Sequence, residues 1–259
     1  MNTGESGELL LKLTLVAIRD GKMANLGPLT SVSSVGFDNK EYGSLPSQLS
    51  LKGLSACGYS ELKNCASLAG ISKSPHLAKS DVYINGDGYS VKSLAGAPAA
   101  LVNHTARPGF EMACKCMGVD IAPLDRLVER YWDLRVRGTI AEDTRNSDRL
   151  SPFRDSKDAL GPILRYFLFR GTGKGLSRYP AKFILDYEDP IRPVTWRVLT
   201  EEQAIDVLWN KLTFSVRAKK GMPTDYPYNS NNSQNTSIER WAHYFQNEYR
   251  GALHIRASK

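Results

Sequence analysis

The chain opens on a helix. In GESGELLLKLTLVAIRDGK, residues 4–22, acids stand at the start, a nearly unbroken apolar run follows, and Arg19 and Lys22 lie near the end. That order suits the helix dipole. Residues 23–60 are rich in Ser, Gly and Asn, and VSSVGFDNK and EYGSLPSQLSL predict short strands and turns. A helix near 60–69 ends at Gly70. Strand periodicity then appears in SDVYINGDGYSVKSL, residues 80–94: apolar Val82, Ile84, Tyr89 and Val91 alternate with Asp81, Tyr83, Ser90 and Lys92. Asn85-Gly86-Asp87-Gly88 between the two runs favours positive φ and a tight reversal, so the segment is a β-hairpin. A turn at Gly86-Asp87 pairs Asp81 with Lys92, whereas a turn at Asn85-Gly86 pairs Asp81 with Ser90. Either register places Asp81, Ser90 and Lys92 on one face and the apolar set toward the core.

Downstream, APAALVNHTA is expected to begin a helix, because Pro98 fits a first turn. A longer helix is predicted over 120–137, with Leu124, Leu127, Tyr131 and Leu134 on one stripe. The polar stretch 139–158 reads as a loop or subdomain boundary, and 158–170 as a helix. KFILDY is a strand. Thr200 and Gln203 form a capping box that starts a helix to Lys211, and LTFSVRA is a strand. A long polar loop, 221–236, precedes an expected helix SIERWAHYFQNEY and a last strand GALHIRAS. Helices and strands in this order predict an α/β (mixed α+β) fold, a central mixed β-sheet flanked by helices.

Composition narrows the class of partner. The 259 residues, 41% hydrophobic, suffice for one large domain or two small ones. Lys and Arg number 34 against 27 Asp and Glu, a net charge of +7 that suits a polyanion. Apolar runs stay short of the roughly 20 residues that span a bilayer, so no membrane is expected. The first apolar run follows two glutamates rather than a basic segment, which predicts no signal peptide and a cytoplasmic protein. Cys57, Cys65, Cys114 and Cys116 lack zinc-site spacing and read as reduced structural thiols. GTGKGLSRYPAK departs from a nucleotide-binding loop, since Gly175 follows Lys174 where Ser or Thr is required; no nucleotide cofactor is expected.

A carboxylate beside a lysine on a pleated surface can hold a divalent cation and position a water. The hairpin's Asp81 and Val91-Lys92 resemble the PD-(D/E)xK nuclease superfamily and, within it, the type II restriction endonucleases. The family pattern is an acid on one strand, then a second acid, one residue and a lysine on the next. Here Ser80 stands for the proline, and Ser90 stands where the second acid belongs. The Gly-Glu segment leading into a Leu-rich helix that ends in Asp-Gly-Lys is similar to the opening of several such enzymes. The resemblance implies a single restriction-endonuclease-like domain over 1–259 with a PD-(D/E)xK core, 1–138 being the catalytic core and 139–259 a DNA-recognition, sheet-completing subdomain. It implies a homodimer cutting double-stranded DNA at a specific sequence with Mg²⁺, leaving 5′-phosphate and 3′-hydroxyl ends.

In that reading Asp81, Ser90 and Lys92 are the catalytic residues. Asp81 holds the metal together with an acid from the first helix, Glu8 ahead of Glu5, while Glu61 is a third candidate. Asn103, His104 and Arg107 follow the hairpin as candidate phosphate contacts or as capping and packing residues; no second histidine lies nearby in sequence to complete a histidine-metal site. Lys174 and Arg178, in the glycine-rich basic stretch, are candidates for the DNA backbone. The rivals are a structure-selective or repair nuclease with the same core, a DNA-binding protein with a degenerate site, and a basic metabolic enzyme.

Overall fold

The computed structural model describes residues 3–46, 50–94, 100–218, 221–229 and 231–257. The chain begins with helix α1 (Thr3–Arg19), strands β1 (Val35–Phe37) and β2 (Lys40–Glu41), helices α2 (Leu51–Ala56) and α3 (Tyr59–Leu68), and strands β3 (Val82–Ile84) and β4 (Asp87–Ser93). Next come β5 (Ala100–Ala106), helices α4 (Arg107–Met117), α5 (Ala122–Val136) and α6 (Lys157–Arg165), a π-helical turn over 166–170, and the short β6 (Gly171–Thr172) and β7 (Gly175–Leu176). Strands β8 (Phe183–Tyr187) and β9 (Trp196–Leu199) precede α7 (Glu201–Leu208) and β10 (Leu212–Arg217). The last elements are α8 (Ser233–Glu239), β11 (His243–Phe245), β12 (Glu248–Arg250) and β13 (Ala252–Ala257). The expected mixed α/β class holds.

Backbone contacts group these elements into two units. The first contains residues 1–97 and 177–204, the second residues 98–176 and 205–259. The division differs from the expected one at 138/139, because β8 leaves the later part of the chain to pair with β4.

The first unit is built on a six-stranded sheet of order β2-β1-β3-β4-β8-β9, with β4 and β8 parallel and the other neighbours antiparallel. Helix α1 lies in its core: every residue from Leu9 to Ile18 is buried, including Lys12 and Thr14. Such all-round burial is what a nearly unbroken apolar run requires. The Thr14 hydroxyl is satisfied by the Leu10 carbonyl at 2.8 Å. These side chains pack with Val82, Ile84, Tyr89, Val91, Leu185 and Tyr187 of the sheet.

The second unit holds an antiparallel sheet of order β10-β13-β5 with α4, α5, α6 and α8. Three sequence expectations are corrected there. Residues 100–106 are a strand, not a helix start: alanine favours helix locally, but β13 supplies a partner that buries Val102 and Ala106. Pro98 lies outside the described residues. The loop over 221–236 gives way to α8 at Ser233, and the helix expected to continue to Tyr249 stops at Glu239, followed by the β11–β12 hairpin. Gln246 and Asn247, both at positive φ, make that reversal, and without a glycine it left little trace in the sequence. In the first unit, the segment 41–51, read as short strands and turns, begins at the end of β2 and leads to α2, which starts at Leu51 and is capped by Ser50; residues 47–49 lie outside the described residues.

Candidate active site

Ile84 and Asp87 face each other across Asn85 and Gly86, both at positive φ. Asparagine tolerates that conformation, and here its side chain anchors the turn as well. Asn85 Oδ1 accepts from the Ser33 and Ser34 amides at 2.8 and 3.1 Å, and Nδ2 donates to the Ser31 carbonyl at 2.9 Å. Of the two registers open to the sequence, this one pairs Val82 with Tyr89 and so sets Asp81 opposite Ser90. The Asp81 amide donates to the Tyr89 carbonyl at 2.8 Å. Strand β3 begins at Val82 while β4 runs on to Ser93, so Val91 has no ladder partner on that side among the described residues. The Asp81 carboxylate takes its place: Oδ2 accepts the Val91 amide at 2.7 Å and the Ser90 hydroxyl at 3.5 Å, and Oδ1 accepts the Ser74 hydroxyl at 3.1 Å. Ser90, almost fully buried, thus serves the first acid rather than adding a second negative charge.

Lys92 follows two residues on, half-buried, on the same side of the sheet as Ser90. Its neighbour across the parallel pairing is Asp186. That carboxylate is engaged by Arg197 of β9 in a bidentate pair at 2.9 and 2.7 Å. Lys92 itself makes no hydrogen bond or ion pair to a protein group among the described residues.

Glu8 comes from the second turn of α1. Its Oε1 accepts from Lys12 Nζ at 2.6 Å, and the fully buried Lys12 also donates to the Ser72 carbonyl at 3.2 Å. Burial pushes the Glu8 carboxyl up; Lys12 opposes this, Asp81 reinforces it, and Lys92 draws it back. The net shift is upward. Glu8, Asp81 and Lys92 therefore lie within electrostatic reach of one another. Gly7 makes part of this possible: a Cβ there would sit 2.2 Å from the Tyr187 hydroxyl. A cavity of about 150 Å³ opens beside Glu8, lined by Glu5, Tyr59, Lys63 and Lys73 among others.

The other two acids are occupied elsewhere. Glu5 accepts from Tyr59 at 3.0 Å and from Lys73, and the Lys73 contact holds its carboxyl below the usual range. Glu61 accepts the Gly58 amide at 3.1 Å and closes the N-terminus of α3. Glu8 is thus the helix acid within electrostatic reach of the hairpin.

Among the described residues, no group of three or more His, Cys, Asp or Glu is arranged to hold a metal. Two carboxylates with water completing the shell is nevertheless the donor set that Mg²⁺ accepts. Asp81 and Glu8 offer carboxylate oxygens of that kind, and they do not make a protein cage.

The residues nominated for DNA fare differently. Arg107 is a structural residue rather than a phosphate contact. It is buried, its Nε and Nη2 grip Asp125 at 2.7 and 2.8 Å, and Nη1 reaches Glu111 and Ser237. His104 stacks on His254 at 4.4 Å with a backbone φ of 42°. Asn103, Lys174 and Arg178 are exposed, and the Arg178 guanidinium lies 5.3 Å from the centre of the Tyr179 ring. Asn103 and Lys174 belong to the second unit and Arg178 to the first.

Sequence reasoning missed Lys12, Ser74 and Lys79. Lys12 carried a signal, its four-residue helical spacing from Glu8. Lys79 carried none, since residues 79 and 81 are bends ahead of β3 and strand periodicity does not reach them. Burial and Lys92 pull the Lys79 ammonium down to about 8, against Asp81. Ser74 had no local signal. The four cysteines are free thiols, and among the described residues no helix is long and apolar enough to cross a membrane. No family model, curated protein or solved structure matches the chain.

Proposed function

We propose that this protein is a Mg²⁺-dependent, sequence-specific endonuclease of double-stranded DNA, of the type II restriction class, built on a PD-(D/E)xK core and acting as a homodimer. The observation that carries the reading is the hairpin face on which Asp81, held by Ser90 and the Val91 amide, shares a side with Lys92, with Glu8 of α1 in electrostatic reach of both. Asp81 is held by the Val91 amide, so its free lone pairs have a fixed direction. Among the described residues Lys92 has no protein partner to give up before it turns to a water and a phosphate. Mg²⁺ bound by Asp81 and Glu8 would supply positive charge at the scissile phosphate. Lys92 orients the attacking water and offsets the charge that builds on the phosphoryl oxygens. Water oxygen bonds to phosphorus, the bond from phosphorus to O3′ breaks, and a proton ends on O3′, leaving 5′-phosphate and 3′-hydroxyl. Two-fold protein symmetry matches a palindromic site.

Ser90 in place of a second acid favours one competing reading, a DNA-binding protein with a site that no longer cuts. Plasmid digestion separates them. Wild type with Mg²⁺ should yield discrete bands, and Asp81→Ala and Lys92→Ala should each lose at least about 10²-fold in rate, the scale of removing one transition-state contact. Ser90→Asp should keep or raise activity. Binding without cutting by wild type would favour the degenerate site. Nicking without preferred sites would favour a structure-selective nuclease. Equal cutting by Lys92→Ala would remove the proposed chemistry.

A further inference from the structure

We infer that Arg197 is a phosphate-binding residue of this site, held by Asp186 in line with Lys92 so that the free end of its guanidinium takes a DNA phosphodiester next to the one being cut. The inference rests on the nuclease reading and adds two residues to it. Strand register places them. Lys92 lies beside Asp186 in the parallel pairing of β4 with β8, and Asp186 lies beside Arg197 in the antiparallel pairing of β8 with β9. Residues paired across strands share a face, so Lys92, Asp186 and Arg197 form a row on the side of the sheet that carries Ser90. The alternate residues Val91, Leu185 and Tyr187 pack with α1 on the other side. Neighbouring strands lie about 4.8 Å apart, so Lys92 and Arg197, two strands apart, start roughly 10 Å from each other.

The geometry of the pair indicates what Arg197 is set to do. Asp186 is almost fully buried, whereas the Arg197 side chain is 48% exposed. Both carboxylate oxygens are spent on one edge of the guanidinium: Nε donates to Oδ1 at 2.9 Å and Nη2 to Oδ2 at 2.7 Å. Two contacts fix the plane of the group. They leave the end of the fork, formed by Nη1 and the second N–H of Nη2, without a protein acceptor among the described residues. That end presents two parallel N–H groups, the pattern that matches two oxygens of one phosphate. A buried carboxylate is costly unless it is paired, yet a half-exposed ion pair adds little to stability. The larger effect of Asp186 is on Arg197, whose flexible side chain is ordered before DNA arrives. Lys92 then serves the scissile phosphate, and Arg197 the neighbouring one. A phosphate contact carries no sequence information, so Arg197 should add affinity for any duplex.

The test is equilibrium binding to a random-sequence duplex, with Ca²⁺ replacing Mg²⁺, over a series of salt concentrations, together with plasmid digestion in Mg²⁺. Each phosphate neutralised contributes about 0.9 to the slope of log K against log salt. Arg197→Gln, which keeps a donor for Asp186, should lower the slope by about 0.9. The double variant Asp186→Leu with Arg197→Leu should lower it equally; it removes a neutral pair, leaves no buried charge behind, and should melt no lower than wild type. Arg197→Lys should retain the slope. Every variant should give the wild-type bands. Unchanged slope and affinity in both charge-removing variants, with wild type binding and cutting normally, would overturn the inference and leave the nuclease reading standing. A slope lost in Arg197→Gln but kept in the double variant would trace the effect to the unbalanced Asp186 charge and also overturn it, as would altered bands, the mark of a base contact. Slope lost only together with a lower melting temperature in both would mark a structural role and end the proposal. If the slopes fall as expected but wild type cuts no plasmid, the phosphate contact stands and the nuclease reading falls. Wild type with no salt-dependent DNA binding would remove both.

Discussion

Replacing Asp125 by alanine should unfold much of the second unit at low denaturant, because four donors converge on one fully buried carboxylate. Arg107 Nε and Nη2 reach it at 2.7 and 2.8 Å, Trp241 Nε1 at 2.7 Å and Arg240 Nη1 at 3.0 Å. Burial alone would push the Asp125 carboxyl up; Arg107 and Trp241 outweigh it and hold the group below its usual value. Removing the carboxylate leaves the buried Arg107 guanidinium with only its Nη1 contacts to Glu111 and Ser237, where a buried pair that loses one partner costs about 3–5 kcal/mol. It also leaves the Trp241 indole N–H buried without an acceptor, about 1–3 kcal/mol by itself. The two losses share one cavity and do not add, so about 4–5 kcal/mol is the expected total. With a urea dependence of roughly 2 kcal/mol per molar, the midpoint should fall by about 2 M. Tryptophan fluorescence is a suitable probe, since Trp132 stacks on His243 and its indole donates to the Trp241 carbonyl at 2.9 Å in the same region. Arg107→Ala should be severe for the same reason, through stability rather than through loss of a DNA contact. An Asp125→Ala midpoint within about 0.5 M of wild type would refute the reasoning, because it would mean that water or a neighbour already shares the charge.

Two further outcomes follow from single contacts. Gly88→Ala would place a Cβ 2.2 Å from Ser80 Oγ and 2.8 Å from the Pro180 carbonyl. It should cost about 1–3 kcal/mol in urea unfolding and slow plasmid cutting by moving Ser80 and the adjoining Asp81; unchanged stability and rate would show that the contact yields freely. His254 is buried against His104, Arg217 and Arg256, and burial first, then these charges, lower it from 6.5 to about 4. The unfolded state binds this proton first, so stability is fully present above about pH 6.5 and is lost as pH falls through about 4. The ceiling is about 3 kcal/mol. His254→Phe should flatten that part of the urea-stability profile between pH 7 and pH 4.5, and an identical profile in the variant would exclude the residue as the source.

The sequence by itself determined the local geometry. The alternation at 80–94 and the Asn85-Gly86 pair specify a hairpin because side-chain period and positive φ are encoded within a few residues. The buried run after Glu8 specifies α1, and the Thr200–Gln203 box starts α7 with bonds of 3.0 and 3.3 Å. Asp81, Ser90 and Lys92 were therefore legible as one face. Their register was not, because both turns were compatible with the same alternation. Tertiary structure chose it through the Asn85 contacts to residues 31–34. Only tertiary structure could select Glu8 over Glu5 and Glu61, since all three are acids near a helix start and only packing of α1 on the sheet brings Glu8 within electrostatic reach of Asp81 and Lys92. The same holds for Arg107, which reads as a free cation until Asp125 and Glu111 close on it, and for residues 100–106, where pairing with β13 overrides a local helical preference. Local signals reflect backbone torsions and period, whereas these choices depend on burial and on partners distant in the chain, which no short window of sequence contains.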